Sequence, residues 1–368
     1  MRVSVILPTK DEEGNIRDLI DRCKKILDNF EYEIIVVDDS NDRTPEIAES
    51  MGAKVVRNVK GYGNAYIEGF KVAKGDYIVM LDADGSYDPC EIPKLLEPLI
   101  RGDADFVIGS RFKGKIMPKA MPWHHRYIGN PLLTKIMNAL FKTKITDAHS
   151  GMRAIKREAL LKLSLKCPGM EFASEMIIEA VRKGLRIVEV PITYYPRKGK
   201  SKLRSFRDGW RHLRFMLLYS PTALFVIPSL ALLTAGIILI TYVLLLDPIR
   251  THSLVLGSLL TVLGLQTFFF GVVSKIYSVE IGLTKEDRIT KFFSRYSVLE
   301  EGILVGLILL SIGFAVGYYV FKVWYESGFG QLNQLNMAIL SFLLMTIGIQ
   351  IILNSLFISS LRLRTSYE

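Results

Sequence analysis

Cysteine is scarce. Cys23, Cys90 and Cys167 are the three in 368 residues, far apart and with no CxxC pair. That excludes a disulfide framework and a zinc module built on paired thiols. Acidic residues are also outnumbered, 37 against 47 Lys and Arg, leaving a formal net charge of +10. A basic chain suits nucleic acid, anionic lipid or an anionic substrate. No zinc-finger spacing or other nucleic-acid module is present, so no nucleic-acid partner is expected. No basic stretch followed by a short apolar region opens the chain, so no cleaved signal peptide is expected. Rossmann GxGxxG, Walker and QxxRW patterns are absent too.

What the chain does have is a change of character near residue 215. Before it, charged and apolar residues are mixed. After it come four apolar stretches, at about 220–246, 253–277, 303–323 and 335–358. Each reaches the roughly 20 residues that a helix needs to cross a bilayer. We therefore expect two domains, 1–215 and 216–368, the second an all-α bundle of four spans. Arg204, Arg207, Arg211 and Arg214 precede the first span. Lys285, Arg288, Lys291 and Arg295 separate the second from the third, and Arg362 and Arg364 follow the fourth. The other two loops carry only Arg250 between them. The positive-inside rule then places both termini and the first domain in the cytoplasm, in a protein of the plasma membrane. Residues 200–219 read either as a basic helix lying at the headgroups or as a linker.

In the first domain short β-branched strands alternate with helical patterns. Strands are expected at 3–7, 32–37, 54–56 and 77–81, and helices at 12–29, 44–51 and 64–73. Such alternation predicts an α/β fold on a mostly parallel sheet, with ligands bound beyond the carboxyl ends of the strands. The polar clusters fall there: Pro8-Thr9, Asp38-Asp39 and Asp82-Ala83-Asp84. Two carboxylates flanking one small residue suit a hard divalent cation, Mg2+ or Mn2+, shared with a diphosphate. A DxD also occurs in plain acidic loops, and its place after a buried strand gives it weight. Asp38 and Asp39 can accept from a ribose or base, or form a solvated turn that caps a helix. Gly61 and Gly63 permit close backbone approach to a ligand and open a helix whose N-terminus favours anions, and a plain loop would look alike.

Taken in order, residues 5–12 (VILPTKDE), 36–40 (VVDDS), 82–85 (DADG) and Gly109-Ser110-Arg111 resemble the family 2 glycosyltransferases of GT-A fold. Residues 147–153 (DAHSGMR) and 199–203 (GKSKL) are similar to the branch that makes dolichyl- or polyprenyl-phosphate mannose or glucose. The resemblance covers about residues 1–215. It implies a metal-dependent, inverting hexosyl transfer from a GDP- or UDP-sugar to a polyprenyl phosphate. It also implies roles. Pro8, Thr9 and Glu12 would line the nucleotide pocket, with Asp39 at the ribose or base. Asp82 and Asp84 would hold metal and diphosphate. Arg111, Arg126, and Arg197 or Lys202 would bind the acceptor phosphate, with Arg153 and Lys200 as further candidates among the basic residues around the site. Asp147 would orient Arg153 or touch the sugar, beside Ser150, and Glu175 would bind sugar hydroxyls, or both carboxylates would serve as caps or ion pairs.

Two positions depart from that pattern. Asp11 stands where Asn is usual, and Ser86 where many mannose synthases carry Gln, so Ser86 is expected to reach the metal through water or not at all. Transfer to a sugar hydroxyl, and a non-catalytic membrane scaffold, are the competing readings. A homo-oligomer is compatible with the sequence. His149 and His212 receive no role.

Overall fold

The computed structural model describes residues 1–199, 205–246, 249–280, 284, 286–330 and 334–363. Lys200, Lys202, Arg204, Lys285 and Arg364 lie outside them. The chain divides into two compact units, Met1–Met216 and Leu217–Glu368.

In the first unit β1 (Arg2–Thr9), α1 (Ile16–Leu27), β2 (Glu31–Asp38), α2 (Thr44–Ser50), β3 (Lys54–Arg57), α3 (Tyr62–Val72) and β4 (Tyr77–Met80) alternate. They are followed by α4 (Ile92–Ile100), β5 (Phe106–Ile116), α5 (Asn130–Phe141), β6 (Arg153–Lys156), α6 (Arg157–Leu160), α7 (Phe172–Arg182), β7 (Ile187–Tyr194) and α8 (Ser205–Leu218). The sheet runs β3-β2-β1-β4-β6-β5-β7. All neighbours are parallel except β6, which runs against β4 and β5. Strand β1 is covered on both faces, so Val3, Val5, Ile6 and Leu7 are fully buried and its sequence is a continuous apolar run. Helix α1 buries one stripe through Ile16, Leu19, Ile20, Cys23 and Leu27.

The chain goes from β1 to β2 and β3 on one side, then returns to lay β4 on the other side of β1. A crevice opens at that reversal, beyond the carboxyl ends of β1 and β4. Most expected elements fall within a residue or two of their place. Helix α1 starts four residues later than the pattern suggested, because residues 12–15 form a turn that receives the backbone N–H groups of Asn15 and Ile16 on the Glu12 carbonyl.

In the second unit a short π-helical turn (Thr222–Val226) leads into α9 (Ile227–Leu245), followed by α10 (Thr251–Glu280), α11 (Arg288–Phe293), α12 (Val298–Glu326) and α13 (Leu335–Leu363). Among the described residues four helices are long and apolar enough to cross a bilayer. They pair as hairpins along seams of small residues. A Cβ on Gly236 would stand 2.7 Å from the carbonyl oxygen of Gly257, and one on Gly306 the same distance from that of Gly348. In lipid, where apolar side chains gain nothing by leaving the solvent, such close backbone contact is what holds helices together. Large apolar side chains such as Leu245, Ile238 and Phe314 point outward.

Candidate active site

A cleft of about 450 Å3 opens at the topological reversal. One end is made by Pro8, Thr9, Lys10 and Glu12 after β1, and by Asp39 after β2. Asp82, Asp84, Tyr62 and Arg197 stand in the middle. His149, Met170 and Ala173 form the other end, with Asp208, Arg211 and His212 from α8.

The local chemistry explains this arrangement. Asp38 is buried at the end of β2 and accepts from the Thr9 hydroxyl at 2.7 Å and from the Ser40 backbone at 3.0 Å. It therefore clamps the two strand ends together, while its neighbour Asp39 reaches the cleft and pairs with Lys10 at 2.6 Å. The loop after β4 presents Asp82 and Asp84. The Tyr62 and Tyr66 hydroxyls both donate to Asp82 Oδ1, at 3.1 and 3.2 Å. Burial, with Asp84 adding its charge, lifts the Asp82 carboxyl to about 6. Asp84 Oδ1 accepts from the Ser86 backbone N–H at 2.9 Å and from its hydroxyl, while Oδ2 pairs with Arg197. Ser86 thus fixes the Asp84 carboxylate directly. The Lys198 and Tyr195 backbone N–H groups bond to the carbonyls of Asp84 and Ser86, at 3.0 and 2.9 Å, tying the segment after β7 to the loop.

The residue types present suit a divalent cation. Two carboxylates sit close enough for one to raise the other, a repulsion that a bound cation relieves. Among the described residues no third His, Cys, Asp or Glu completes a cluster. The remaining ligands would come from a diphosphate and water, the usual arrangement for Mg2+ and compatible with Mn2+.

Arg111 lines the cleft with 6 % of its surface exposed. Its Nε and Nη2 donate to Asp147 at 2.7 and 2.8 Å, its backbone N–H bonds to the same carboxylate at 3.0 Å, and its guanidinium lies 5.1 Å over the Tyr194 ring. Asp147 is fully buried, so it orients Arg111, where Arg153 or the sugar was expected. Arg153 is itself buried and donates to three backbone carbonyls, those of Ser150, Ala173 and Ala148, each at 2.9 Å. It braces the loop before β6, and Ser150 is buried in that loop. Glu175 accepts from the backbone N–H groups of Lys166 and Cys167, both at 2.9 Å. That fixes the loop on which Gly63 packs so tightly that a Cβ would meet the Cys167 carbonyl at 2.0 Å. The close approach expected of Gly63 is therefore to the protein itself.

Among the expected residues, then, the cleft brings together Pro8, Thr9, Glu12, Asp39, Asp82, Asp84, Arg111 and Arg197. Asp38, Gly63, Asp147, Ser150, Arg153 and Glu175 stand behind its walls. Arg126 is half-buried in a π-helical segment (His125–Gly129), its guanidinium over the Tyr127 ring, and Lys202 is outside the described residues. Sequence reasoning missed Tyr62 and Tyr66, although their i, i+4 spacing on one helix face was a usable signal. It also missed the α8 residues.

The family model described as glycosyl transferase family 2 matches residues 4–164, and that of the family 2 C-terminal transmembrane region matches residues 272–362. The chain is 42% identical over 369 residues to the low-salt glycan biosynthesis hexosyltransferase Agl6 of Haloferax volcanii, covering 98% of this chain and 89% of that protein. It is 38% identical over 213 residues to a dolichol-phosphate mannosyltransferase of Pyrococcus furiosus, covering 55% of this chain and 60% of that one. A dolichyl-phosphate hexose transferase of Haloferax volcanii is 34% identical over 209 residues, covering 56% and 89%.

Proposed function

The chain belongs to glycosyltransferase family 2, and we propose that it moves a hexose from a GDP- or UDP-sugar to a polyprenyl phosphate of the dolichyl type, with inversion. One observation carries the reading: a single cleft at the strand ends holds a paired carboxylate site with cationic side chains beside it. Two relatives with dolichyl- or dolichol-phosphate in their names support the acceptor, and the word hexosyltransferase in a third supports the sugar class.

In this reading the nucleoside lies between Pro8-Thr9 and Asp39, with Glu12 nearby. Asp82 and Asp84 would hold the divalent cation, which when bound neutralises the diphosphate as it departs. Tyr62 and Tyr66 fix Asp82, and Ser86 fixes Asp84, so neither carboxylate has to reorganise. Arg197 gains a second anionic partner, the diphosphate, beside Asp84. An ionised oxygen of the acceptor phosphate attacks the anomeric carbon from the face opposite the diphosphate. The carbon–oxygen bond to the diphosphate breaks, and the nucleoside diphosphate leaves with the electron pair. The phosphate monoester has already lost its proton near neutral pH, so no side chain has to act as general base. The task is positioning two anions that repel each other. Arg111, held rigid by Asp147 and Tyr194, supplies charge on the acceptor side. Arg126 and Lys202 are not used in this scheme.

The bias of Lys and Arg toward the loops before the first, after the second and after the fourth spans supports a cytoplasmic catalytic unit. An enzyme of this kind would use cytoplasmic nucleotide sugars and plasma-membrane lipid.

The test uses the full chain in lipid nanodiscs with Mg2+ or Mn2+, dolichyl phosphate and radiolabelled UDP- and GDP-hexoses. The expected product is one labelled, mild-acid-labile lipid, lost with EDTA and in Asp84→Asn. Label that enters only an added glycan would replace this reading with hydroxyl transfer. Folded protein that transfers nothing from any donor would refute both and favour a scaffold.

A further inference from the structure

Among the described residues four Lys or Arg side chains line the cleft: Lys10, Arg111, Arg197 and Arg211. Three of them face a carboxylate at close range. Lys10 pairs with Asp39 at 2.6 Å, Arg111 with Asp147 at 2.7 Å, and Arg197 with Asp84. Arg211 differs. It meets Asp208, one turn earlier on α8, at 3.9 Å, which is beyond hydrogen-bond length. An i, i+3 pair at that distance, with the arginine side chain 44% exposed, is weak. The guanidinium therefore keeps its fork of donors available at the cleft wall.

The next residue fixes its position. His212 is buried, and its Nδ1 meets the Ser174 hydroxyl of α7 at 2.8 Å. Its ring packs edge to face on that of His149, with centroids 4.4 Å apart and planes at 82°. These contacts pin the middle of α8 to α7 and to the loop before β6. Asp208 and Arg211 thereby reach the cleft wall, at the end away from Pro8 and Thr9. The two imidazoles bring no charge there. Burial pulls His212 down to about 4 and holds His149 well below its usual 6.5.

The acceptor sets a requirement that this end of the cleft has to meet. A phosphate monoester carries more than one negative charge near neutral pH. Arg111 offers it a charge that Asp147 already balances, through two of its nitrogens. Arg197 is shared between Asp84 and the departing diphosphate. A further cation is needed, with its fork free, since a guanidinium holds phosphate through two parallel N–H bonds. We propose that Arg211 binds the phosphate of the polyprenyl acceptor, together with Arg111, and so places its attacking oxygen. This rests on the acceptor reading above. Helix α8 suits a phosphate carried on a lipid, because the chain runs from it directly into the first apolar stretch. A phospholipid headgroup offers similar oxygens, so the two lipid sources have to be told apart.

The test follows hexose transfer by the full chain in nanodiscs at saturating nucleotide sugar. The mole fraction of dolichyl phosphate is varied, with phosphatidylglycerol present or absent. Arg211→Gln should raise the KM for dolichyl phosphate about tenfold or more in both kinds of disc. Its affinity for UDP and GDP, read by titration calorimetry, should match that of wild type. Arg211→Lys, which keeps the charge and loses the fork, should fall between the two in KM. If Arg211→Gln leaves that KM unchanged while wild type is active, the inference alone fails. If it weakens the nucleoside diphosphate as much as the acceptor, Arg211 has a structural role and the inference fails. A rise in KM confined to discs with phosphatidylglycerol would mean that Arg211 meets bulk headgroups, and would also overturn it. If wild-type protein transfers no hexose to dolichyl phosphate, the acceptor reading fails and takes the inference with it.

Discussion

Asp82 is held against its own preference, and that has a measurable consequence. Its carboxyl is lifted from the usual 3.8 to about 6 by burial and by the charge of Asp84. A shift of that size corresponds to about 3 kcal/mol, an upper figure because the side chain is only partly enclosed. The sign follows from the raised value. The folded protein binds this proton more readily than the unfolded chain. The cost is therefore fully present above about pH 6 and fades as pH falls toward 3.8. Asp82→Asn removes the charge while leaving an oxygen to accept from Tyr62 and Tyr66. In metal-free buffer at pH 7.5 we expect it to raise the unfolding temperature of the catalytic unit by about 5 °C, given the size of that unit. Differential scanning fluorimetry of the protein in detergent, side by side with wild type from pH 4.5 to 8, reads the effect. The gap between the two should narrow steadily as pH drops below 6, whatever other groups do to both. Addition of Mn2+ should stabilise the wild type and leave the variant nearly unmoved. An Asp82→Asn protein no more stable than wild type at pH 7.5, or a gap indifferent to pH, would refute this account of the site.

Gly151→Ala should displace the Asp82 carboxylate and reduce transfer by about a hundredfold or more with the fold retained, checked by lipid labelling beside circular dichroism. Asp147→Asn strips the buried Arg111 of its charged partner and should destabilise the catalytic unit by about 3–5 kcal/mol, read as a fall in unfolding temperature. Arg153→Met removes the guanidinium bonds to three buried carbonyls, two of them in the loop before β6, and is expected to yield little folded protein by size-exclusion chromatography.

What could be read from the sequence was what depends on neighbours along the chain. The apolar runs of β1, β2 and β4 each end in polar residues, and those ends form one side and the middle of the cleft. The four apolar stretches needed only their length and composition. What could not be read was set by partners far along the chain. Arg153 looks like any arginine in a substrate loop until Ala173 and Ala148 are seen to hold their carbonyls toward it. Glu175 looks like a ligand for hydroxyls until the Lys166–Cys167 turn folds over it. The α8 residues belong to the cleft only because α8 lies against α7, and nothing in their own spacing points there. The reversal of β6 was equally hidden, since an antiparallel strand of four residues reads like a parallel one.

The spans carry one more implication. Helices α10, α12 and α13 have 30, 29 and 29 residues. At 1.5 Å per residue each is about 44 Å long, against a hydrocarbon layer of about 30 Å. Such rods either tilt strongly or project several turns beyond the acyl chains. The last turns of α10 are suited to projection, since Lys275 is paired there with Asp287 and Ser278 bonds back to the Ser274 carbonyl. Bilayer thickness therefore becomes a variable of this protein. A thicker membrane would draw those polar turns toward the acyl layer, and a thinner one would steepen the tilt, so lipids of graded chain length are a physical handle on it.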